Sequence, residues 1–166
     1  LQTSKVLEGL TVLDLTRGRA GPAATRHLAH SGAGVIRIEI PEGSQESDVL
    51  SGSRDGGDFQ NLHRNKRSLA LDLKTPEGLA IFKRLAAKAD VIVENFRPSV
   101  KYRLGIDQDT ILDLNPRMIY ASISGFGEVG PYKDRPGVDQ IVQGMSGLMS
   151  VTGESGRGPM RAGIAV

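Results

Sequence analysis

Short runs of β-branched and aliphatic residues alternate with longer segments of helical periodicity along most of this chain. The apolar runs fall at residues 11–15, 35–40, 68–73, 91–94 and 118–123. Segments with helical spacing lie between them and begin near Pro22, Thr75 and Asp107. This alternation is typical of βαβ units, in which consecutive strands run parallel and helices cover the sheet. We therefore predict an α/β fold with a Rossmann-like parallel sheet and flanking helices.

Two stretches depart from the alternation. Residues 41–60 are mostly polar and begin with Pro-Glu-Gly-Ser, which predicts a long irregular loop. The last third is rich in glycine and has one further segment of helical spacing, residues 138–149. The sequence stops at Val166 within an apolar run, so we expect it to be a fragment of a longer protein.

Composition argues against several classes of function. The chain of 166 residues has 21 Lys and Arg against 19 Asp and Glu, and this net charge of +2 does not predict binding to nucleic acid or to a membrane surface. No apolar run approaches the roughly 20 residues of a membrane helix. Cysteine is absent, and the histidines are His27, His30 and His63. His27 and His30 lie three positions apart on one predicted helix face, with no nearby Asp, Glu or Cys to complete a metal site. We expect no metal, no nucleic acid and no membrane partner, and a cytoplasmic location, or a mitochondrial or peroxisomal matrix location in a eukaryote.

Polar residues follow most of the predicted strands, at residues 17–21, 39–41, 95–97 and 124–127. The carboxyl ends of parallel strands meet at one edge of the sheet, where open α/β sheets bind their ligands. Asn95 and Arg97 at this edge predict an anionic ligand, because a guanidinium group pairs well with phosphate. Capping of a following helix by Asn95 is an equally good interpretation.

A second group of cations, Lys66, Arg67 and Lys74, surrounds the third predicted strand. Its simplest interpretation is a solvated edge strand whose charges discourage aggregation. The turn after the first strand contains Gly18 and Gly21 but no GxGxxG motif, so an NAD(P)-dependent oxidoreductase is only weakly indicated. Such a turn can still hold a phosphate at the helix N-terminus.

Seven motifs follow one another in order, at residues 7–16, 20–22, 35–39, 65–68, 93–98, 115–120 and 122–127. Together they closely resemble the N-terminal part of the class III CoA-transferases, a family that also includes 2-methylacyl-CoA racemase. The resemblance implies a Rossmann-like large domain built from both ends of a longer chain, with a smaller domain between them. It also implies a homodimer of two subunits interlocked like rings. Residues 1–166 would be the N-terminal part of the CoA-binding large domain, with the small domain and the C-terminal part absent.

The resemblance further implies that coenzyme A is a substrate whose 3′-phosphate and pyrophosphate meet the cations described above. Carried over motif by motif, the coenzyme A contacts fall on Arg19, Asn65, Lys66, Leu71, Asp72, Leu73, Lys74, Asn95, Phe96, Arg97 and Arg103.

The transferases that this chain resembles move coenzyme A from an acyl-CoA to a small carboxylic acid through an aspartyl intermediate. Motif comparison places the nucleophilic Asp about two residues beyond Val166, so we expect residues 1–166 alone to be inactive. Asp139 matches an acidic position with a supporting role, although capping of its own helix explains it equally well. Racemisation would need a His where this chain has Val138, and it is therefore disfavoured. A non-catalytic CoA-binding or assembly module is the remaining alternative.

Overall fold

The computed structural model describes residues 4–41 and 52–163. The chain divides into two compact units, Leu1–Ile123 and Ser124–Val166. Within the described ranges, the first unit contains the whole sheet, and the second contains one short α-helix and a 3-10 helix.

The sheet of the first unit has five parallel strands in the order β3-β2-β1-β4-β5. Their bounds are β1 Thr11–Asp14, β2 Gly34–Glu39, β3 Arg67–Ala70, β4 Val91–Glu94 and β5 Ile119–Ser122. All five strands lie within or next to the apolar runs of the sequence, and the predicted α/β fold with a parallel sheet is confirmed. From β1 the chain adds β2 and β3 on one side, and it then adds β4 and β5 on the other side. In open α/β sheets the ligand crevice opens at such a change of direction, which here falls between β1 and β4.

In the described part of this unit, five α-helices connect the strands: α1 Ala20–His30, α2 Gly57–His63, α3 Pro76–Ala86, α4 Pro98–Leu104 and α5 Gln108–Leu114. Local sequence explains where several of them begin. The Thr75 side chain accepts a hydrogen bond from the Gly78 amide at 3.1 Å, and Pro76 takes the first helical position, where its missing N–H costs nothing. Asp107 caps α5 in the same way through the Thr110 amide at 3.1 Å.

Apolar side chains cover both faces of the sheet. On one face, Leu13 and Ile92 join Phe82 of α3 in a cluster that is almost completely buried. On the other face, Val12 and Val93 form a smaller cluster with residues of α1 and β2. Successive residues of β1 and β4 thus point to opposite faces, as strands buried on both sides require. Each such aliphatic or aromatic side chain contributes about 1.5–3 kcal/mol of burial free energy.

Glycine is required where two helices begin close to the sheet edge. A Cβ atom at Gly21 in α1 would lie 2.3 Å from the Cβ of Thr16, and one at Gly78 in α3 would lie 1.9 Å from the carbonyl oxygen of Asp72. Both contacts are far shorter than atoms tolerate. The two glycines therefore allow the helices to pack directly against the segments that follow β1 and β3.

Two elements differ from the sequence predictions. A loop was predicted for residues 41–60, but helix α2 begins within them. The helix forms despite the flanking glycines because it buries Phe59 and Leu62. Residues 42–51 of the predicted loop lie outside the described residues. Helix α4 was not predicted from the sequence either. Its short sequence between Pro98 and Gly105 leaves little room for a visible helical period.

The second unit contains α6, Asp139–Met145, followed by a 3-10 helix, Leu148–Val151. The helix predicted over residues 138–149 is thus interrupted. Gly147, with a φ of 83°, adopts the left-handed conformation that ends a helix. In the described part of the chain, every helix is too short or too polar to span a lipid bilayer.

Candidate functional site

A cavity of about 650 Å³ opens at the carboxyl ends of β1, β2, β3 and β4 in the first unit. Of the strand-end residues that were predicted to converge, Arg17, Glu39, Ile40 and residues 95–97 line it, whereas residues 18–21 and Pro41 do not. Residues 124–127 belong to the second unit. The apolar part of its wall consists of Leu15, Ile38, Ile40, Leu71, Leu73, Phe96, Val100 and Leu104. The cavity size falls within the range of about 300–1,000 Å³ that is usual for small-molecule sites.

Cations outnumber anions in the cavity wall. The basic side chains are those of Arg17, Lys74, Arg97 and Arg103, and the acidic ones are those of Glu39 and Asp72. Such a wall favours an anionic ligand.

The two acidic side chains are already engaged. Glu39 accepts from Arg37 at 2.9 Å and from Arg54 at 2.6 Å, and it also accepts from the hydroxyl of Ser68. Asp72 accepts the backbone amide of Lys74 at 2.9 Å. By contrast, Arg97 and Arg103 are exposed and form no ion pair with any residue of the described ranges. The charges of Arg97 and Arg103, which we call the rim of the cavity, are therefore available to an anionic ligand.

Asn95 joins the segment after β4 to the segment after β1. Its Oδ1 accepts from the Arg17 amide at 2.9 Å, and its Nδ2 donates to the Arg17 carbonyl at 2.8 Å. The interpretation of Asn95 as a helix cap is wrong, because Arg97 is the N-cap residue of α4. Asn95 lines the cavity while its amide holds the backbone of Arg17.

Lys66 is buried beside the cavity rather than in its wall. Its ammonium group donates to Asp14 Oδ2 at 2.9 Å, Thr25 Oγ1 at 2.8 Å and the Pro22 carbonyl at 3.0 Å. These bonds account for all three protons of the ammonium group. Burial lowers the pKa of Lys66, and the Asp14 carboxylate opposes that effect. The solvated-edge interpretation thus fails for Lys66.

Its neighbour Arg67 does fit the solvated-edge interpretation, because it is exposed on edge strand β3.

A similar buried pair lies beneath the segment that follows β4. Lys101 donates to Glu94 Oε1 at 3.2 Å and to the Ser122 hydroxyl at 3.0 Å, and the Glu94 and Lys101 side chains are each 1% exposed. Glu94 Oε2 also accepts the Phe96 amide at 2.8 Å. This pair fixes the backbone from which Phe96 enters the cavity.

The other predicted contacts divide into two groups. Eight of the predicted residues line the cavity: Leu71, Asp72, Leu73, Lys74, Asn95, Phe96, Arg97 and Arg103. Arg19 lies outside the wall, exposed and paired with Asp58. Asn65 also lies outside it, in the left-handed conformation with a φ of 64°, which asparagine tolerates better than most residues.

Sequence reasoning did not assign Arg17 to the coenzyme contacts, nor Val100 and Leu104 of α4. The position of Arg17 directly after a buried strand was a usable signal, since strand ends carry ligand residues. Val100 and Leu104 gave no signal, because α4 itself was not predicted.

His63, the last residue of α2, lies beside the Asp14–Lys66 pair. Its ring packs against Phe59 with centroids 4.5 Å apart, and Nδ1 lies 3.4 Å from the Lys66 ammonium nitrogen. Burial, and then the positive charges of Arg37 and Lys66, lower the pKa of His63 to about 4. His63 is therefore neutral at physiological pH.

Among residues 4–41 and 52–163, no group of His, Asp and Glu side chains could hold a metal ion.

Asp139 lies in the second unit. Its carboxylate accepts from Gln143 Nε2 at 2.9 Å and from Arg161 at 3.2 Å. The buried Gln143 in turn accepts the Ala162 amide at 2.9 Å. The N-cap residue of α6 is Val138 and Asp139 is the first helical residue, so Asp139 is not the N-cap that the capping interpretation requires. Asp139 instead ties α6 to the segment that precedes Val166.

Comparison with known proteins identifies the family. The family model described as CoA-transferase family III matches residues 7–166. The succinate–glutarate CoA-transferase of Agrobacterium fabrum is 46% identical, and the match covers 96% of this chain and 42% of that protein. Human succinyl-CoA:glutarate CoA-transferase is 39% identical over 98% of this chain and 38% of its own length. The formyl-CoA:oxalate CoA-transferase of Streptomyces avermitilis is 43% identical over 98% of this chain and 40% of its own length.

Solved structures agree with this result. A CAIB/BAIF family protein from Brucella suis superposes with a TM-score of 0.88 at 38% identity, covering 99% of this chain and 45% of that chain. The present chain spans less than half the length of these relatives. Because the family match extends over nearly the whole sequence, the chain belongs to CoA-transferase family III.

Proposed function

We propose that this chain is the N-terminal part of a CoA-transferase and that its cavity binds the coenzyme A portion of an acyl-CoA. The observation that carries this proposal is the excess of cations at a cavity whose own acids are engaged by other partners. Arg97 and Arg103 offer planar donor groups that match phosphate oxygens. The apolar wall suits the adenine ring and the pantetheine arm.

The chemistry requires a nucleophile that residues 1–166 do not supply. In the proposed reaction, the carboxylate of an Asp just beyond Val166 attacks the thioester carbonyl. The coenzyme A thiolate is expelled, and an acyl-aspartyl anhydride forms. The thiolate then attacks the aspartyl carbonyl, which releases the first acid and forms an aspartyl-CoA thioester. Division into such steps avoids a difficult direct exchange. A second carboxylate then attacks the aspartyl carbonyl of this thioester, which releases the thiolate and forms a new acyl-aspartyl anhydride. The thiolate finally attacks the acyl carbonyl of the new anhydride, which gives the new acyl-CoA and restores the Asp carboxylate.

Asp139 supports the proposed reaction from the second unit. Its bonds to Gln143 and Arg161, with the bond from Gln143 to the Ala162 amide, hold the segment that leads toward the nucleophile. We therefore propose that Asp139 acts on the position of this segment. The interlocked homodimer implied by the sequence resemblance belongs to the same proposal and concerns the longer protein.

A small carboxylic acid is the proposed acceptor. The names of three relatives refer to succinate, glutarate and oxalate, all of them short dicarboxylates. The sequences of residues 135–137 and 143–153 also resemble those of the dicarboxylate (succinyl-CoA type) transferases, which supports the same class. We propose a short dicarboxylate as one of the two acids.

Calorimetric titration with coenzyme A, 3′-dephospho-CoA, pantetheine and NAD tests the binding proposal. We expect coenzyme A to bind most tightly and each loss of phosphate to weaken binding, because a charged hydrogen bond contributes about 1.5–3 kcal/mol. Preference for NAD, or equal affinity for pantetheine and coenzyme A, would overturn the binding proposal.

An exchange assay distinguishes a transferase from a non-catalytic binding module. Residues 1–166 should show no turnover, and the longer protein should lose its turnover when the proposed Asp is changed to Ala.

A further inference from the structure

We propose that Asn95 is a positioning residue that acts on the ligand through Arg17. Its side-chain amide fixes the Arg17 peptide and thereby sets the Arg17 guanidinium in the cavity wall. The part of this inference that concerns the ligand rests on the proposed function.

The position of Asn95 explains how its amide can do this. Strands β1 and β4 pair as far as Asp14 and Val93, and the Leu15 amide still donates to the Val93 carbonyl at 2.9 Å. Beyond this point the Asn95 side chain makes the next two bonds, with the Arg17 amide at 2.9 Å and the Arg17 carbonyl at 2.8 Å. A carboxamide offers the same donor and acceptor as a peptide group. Asn95 therefore extends the pairing of the two segments where their backbones separate to form the cavity.

The Arg17 side chain is held from the same segment. Its guanidinium carbon lies 5.6 Å from the centroid of the Phe96 ring, which is a cation–π contact. The Phe96 backbone is in turn fixed by Glu94, whose Oε2 accepts the Phe96 amide at 2.8 Å. Both the backbone and the side chain of Arg17 thus depend on residues 94–96.

The turn that carries Arg17 has few other attachments. Thr16 is tied to Asp14 through its amide at 3.0 Å and its hydroxyl at 2.6 Å. Gly18, which follows Arg17, has a φ of 73°, in the left-handed region that glycine adopts without steric cost. Loss of the Asn95 amide would leave the Arg17 peptide with neither of its two side-chain bonds, so we expect the guanidinium to lose its fixed direction.

A double-mutant cycle on coenzyme A affinity tests the inference. We expect Arg17→Ala to raise the dissociation constant about tenfold or more, and Asn95→Ala to raise it by a similar factor. The double variant should bind no more weakly than Arg17→Ala, because Asn95 has no effect once the guanidinium is gone. Additive losses would show that Asn95 contacts the ligand itself and would overturn the inference.

The ligand dependence of the two variants provides a readout that a general loss of stability would not produce. With pantetheine, which lacks the phosphates, Asn95→Ala and Arg17→Ala should both bind within about twofold of the unchanged protein. Asn115→Ala is the matched control, because the Asn115 amide bonds the carbonyls of Ala86 and Ala89 away from the cavity. It should lower stability and leave coenzyme A affinity unchanged.

Amide hydrogen exchange tests the structural step without any ligand. In Asn95→Ala the Arg17 amide should lose its protection while the β1 amides keep theirs, and in Asn115→Ala the Arg17 amide should remain protected. Retained protection of Arg17 in Asn95→Ala would overturn the inference whatever the ligand result. Failure of the unchanged protein to bind coenzyme A would instead overturn the proposed function.

Discussion

The cations at the sheet edge occupy two different regions. Lys66 and Lys101 lie in a buried layer, with side chains that are each 1% exposed and paired with Asp14 and Glu94 at the ends of β1 and β4. Arg97 and Arg103 lie on the open rim of the cavity and pair with no residue of the described ranges. The same charge thus stabilises the fold in one region and is available to a ligand in the other.

The difference shows what decides the role of a basic residue at this edge. The acidic groups that pair with Lys66 and Lys101 are the last residues of β1 and β4, within the sheet itself. Arg97 and Arg103 belong to the segment after β4 and form no ion pair with a described residue. We expect substitutions in the buried layer to affect folding and substitutions on the rim to affect binding.

The largest expected effect concerns the buried layer. Lys66→Met leaves Asp14 buried without its counter-ion, and removal of one partner of such a pair costs about 3–5 kcal/mol. Denaturant unfolding should show this loss, while the folded protein should bind coenzyme A with nearly unchanged affinity. Arg103→Met is the reciprocal control and should lower affinity with little effect on stability. A stable Lys66→Met protein that no longer binds coenzyme A would show that Lys66 contacts the ligand.

The next largest effect concerns the rim. Arg97→Ala and Arg103→Ala should each weaken coenzyme A binding about tenfold, and the double variant about a hundredfold, because each removes a charged hydrogen-bond donor. Calorimetric titration at one fixed salt concentration measures the change. Affinity that stays within twofold in the double variant would place the phosphates away from the rim.

A smaller effect is expected from pH. The pKa of His63 lies near 4 in the folded protein against an ordinary value of 6.5, so the unfolded chain takes up a proton first as the pH falls. The His63 contribution to stability is complete above about pH 6.5 and is lost progressively toward pH 4. The free energy of unfolding, measured by denaturation across this pH range, should fall less steeply with decreasing pH for His63→Gln than for the unchanged protein. His27→Gln, an exposed control, should leave the slope as it was.

The smallest effect is predicted for Arg19. Its side chain is exposed, pairs with Asp58 and does not line the cavity, so Arg19→Ala should change coenzyme A affinity less than twofold. The same titration measures this. A tenfold loss would show that the bound protein brings Arg19 to the ligand, as the motif resemblance implies.

Much of the fold could be predicted because its signals are local. The apolar run at residues 91–94 coincides with β4, and the Thr75-Pro76 pair marks the start of α3. The location of the cavity followed from the rule that parallel strands end at one edge.

The roles of individual cations could not be predicted, because their partners are distant in sequence. Lys66 and Lys74 flank the same strand, yet only the fold shows that Asp14, 52 positions earlier, lies next to Lys66. The Asn95 amide likewise meets Arg17 across 78 positions. Helix α4 was missed because the seven residues Pro98–Leu104 carry almost no periodic signal.

A crystal structure of the protein with coenzyme A bound tests the central claim most directly. We predict that the phosphates lie within hydrogen-bond distance of Arg97 or Arg103, that Phe96 contacts the ligand, and that Lys66 keeps its bonds to Asp14 and Thr25. Phosphates bound away from this rim, with Arg97 and Arg103 facing solvent, would contradict it.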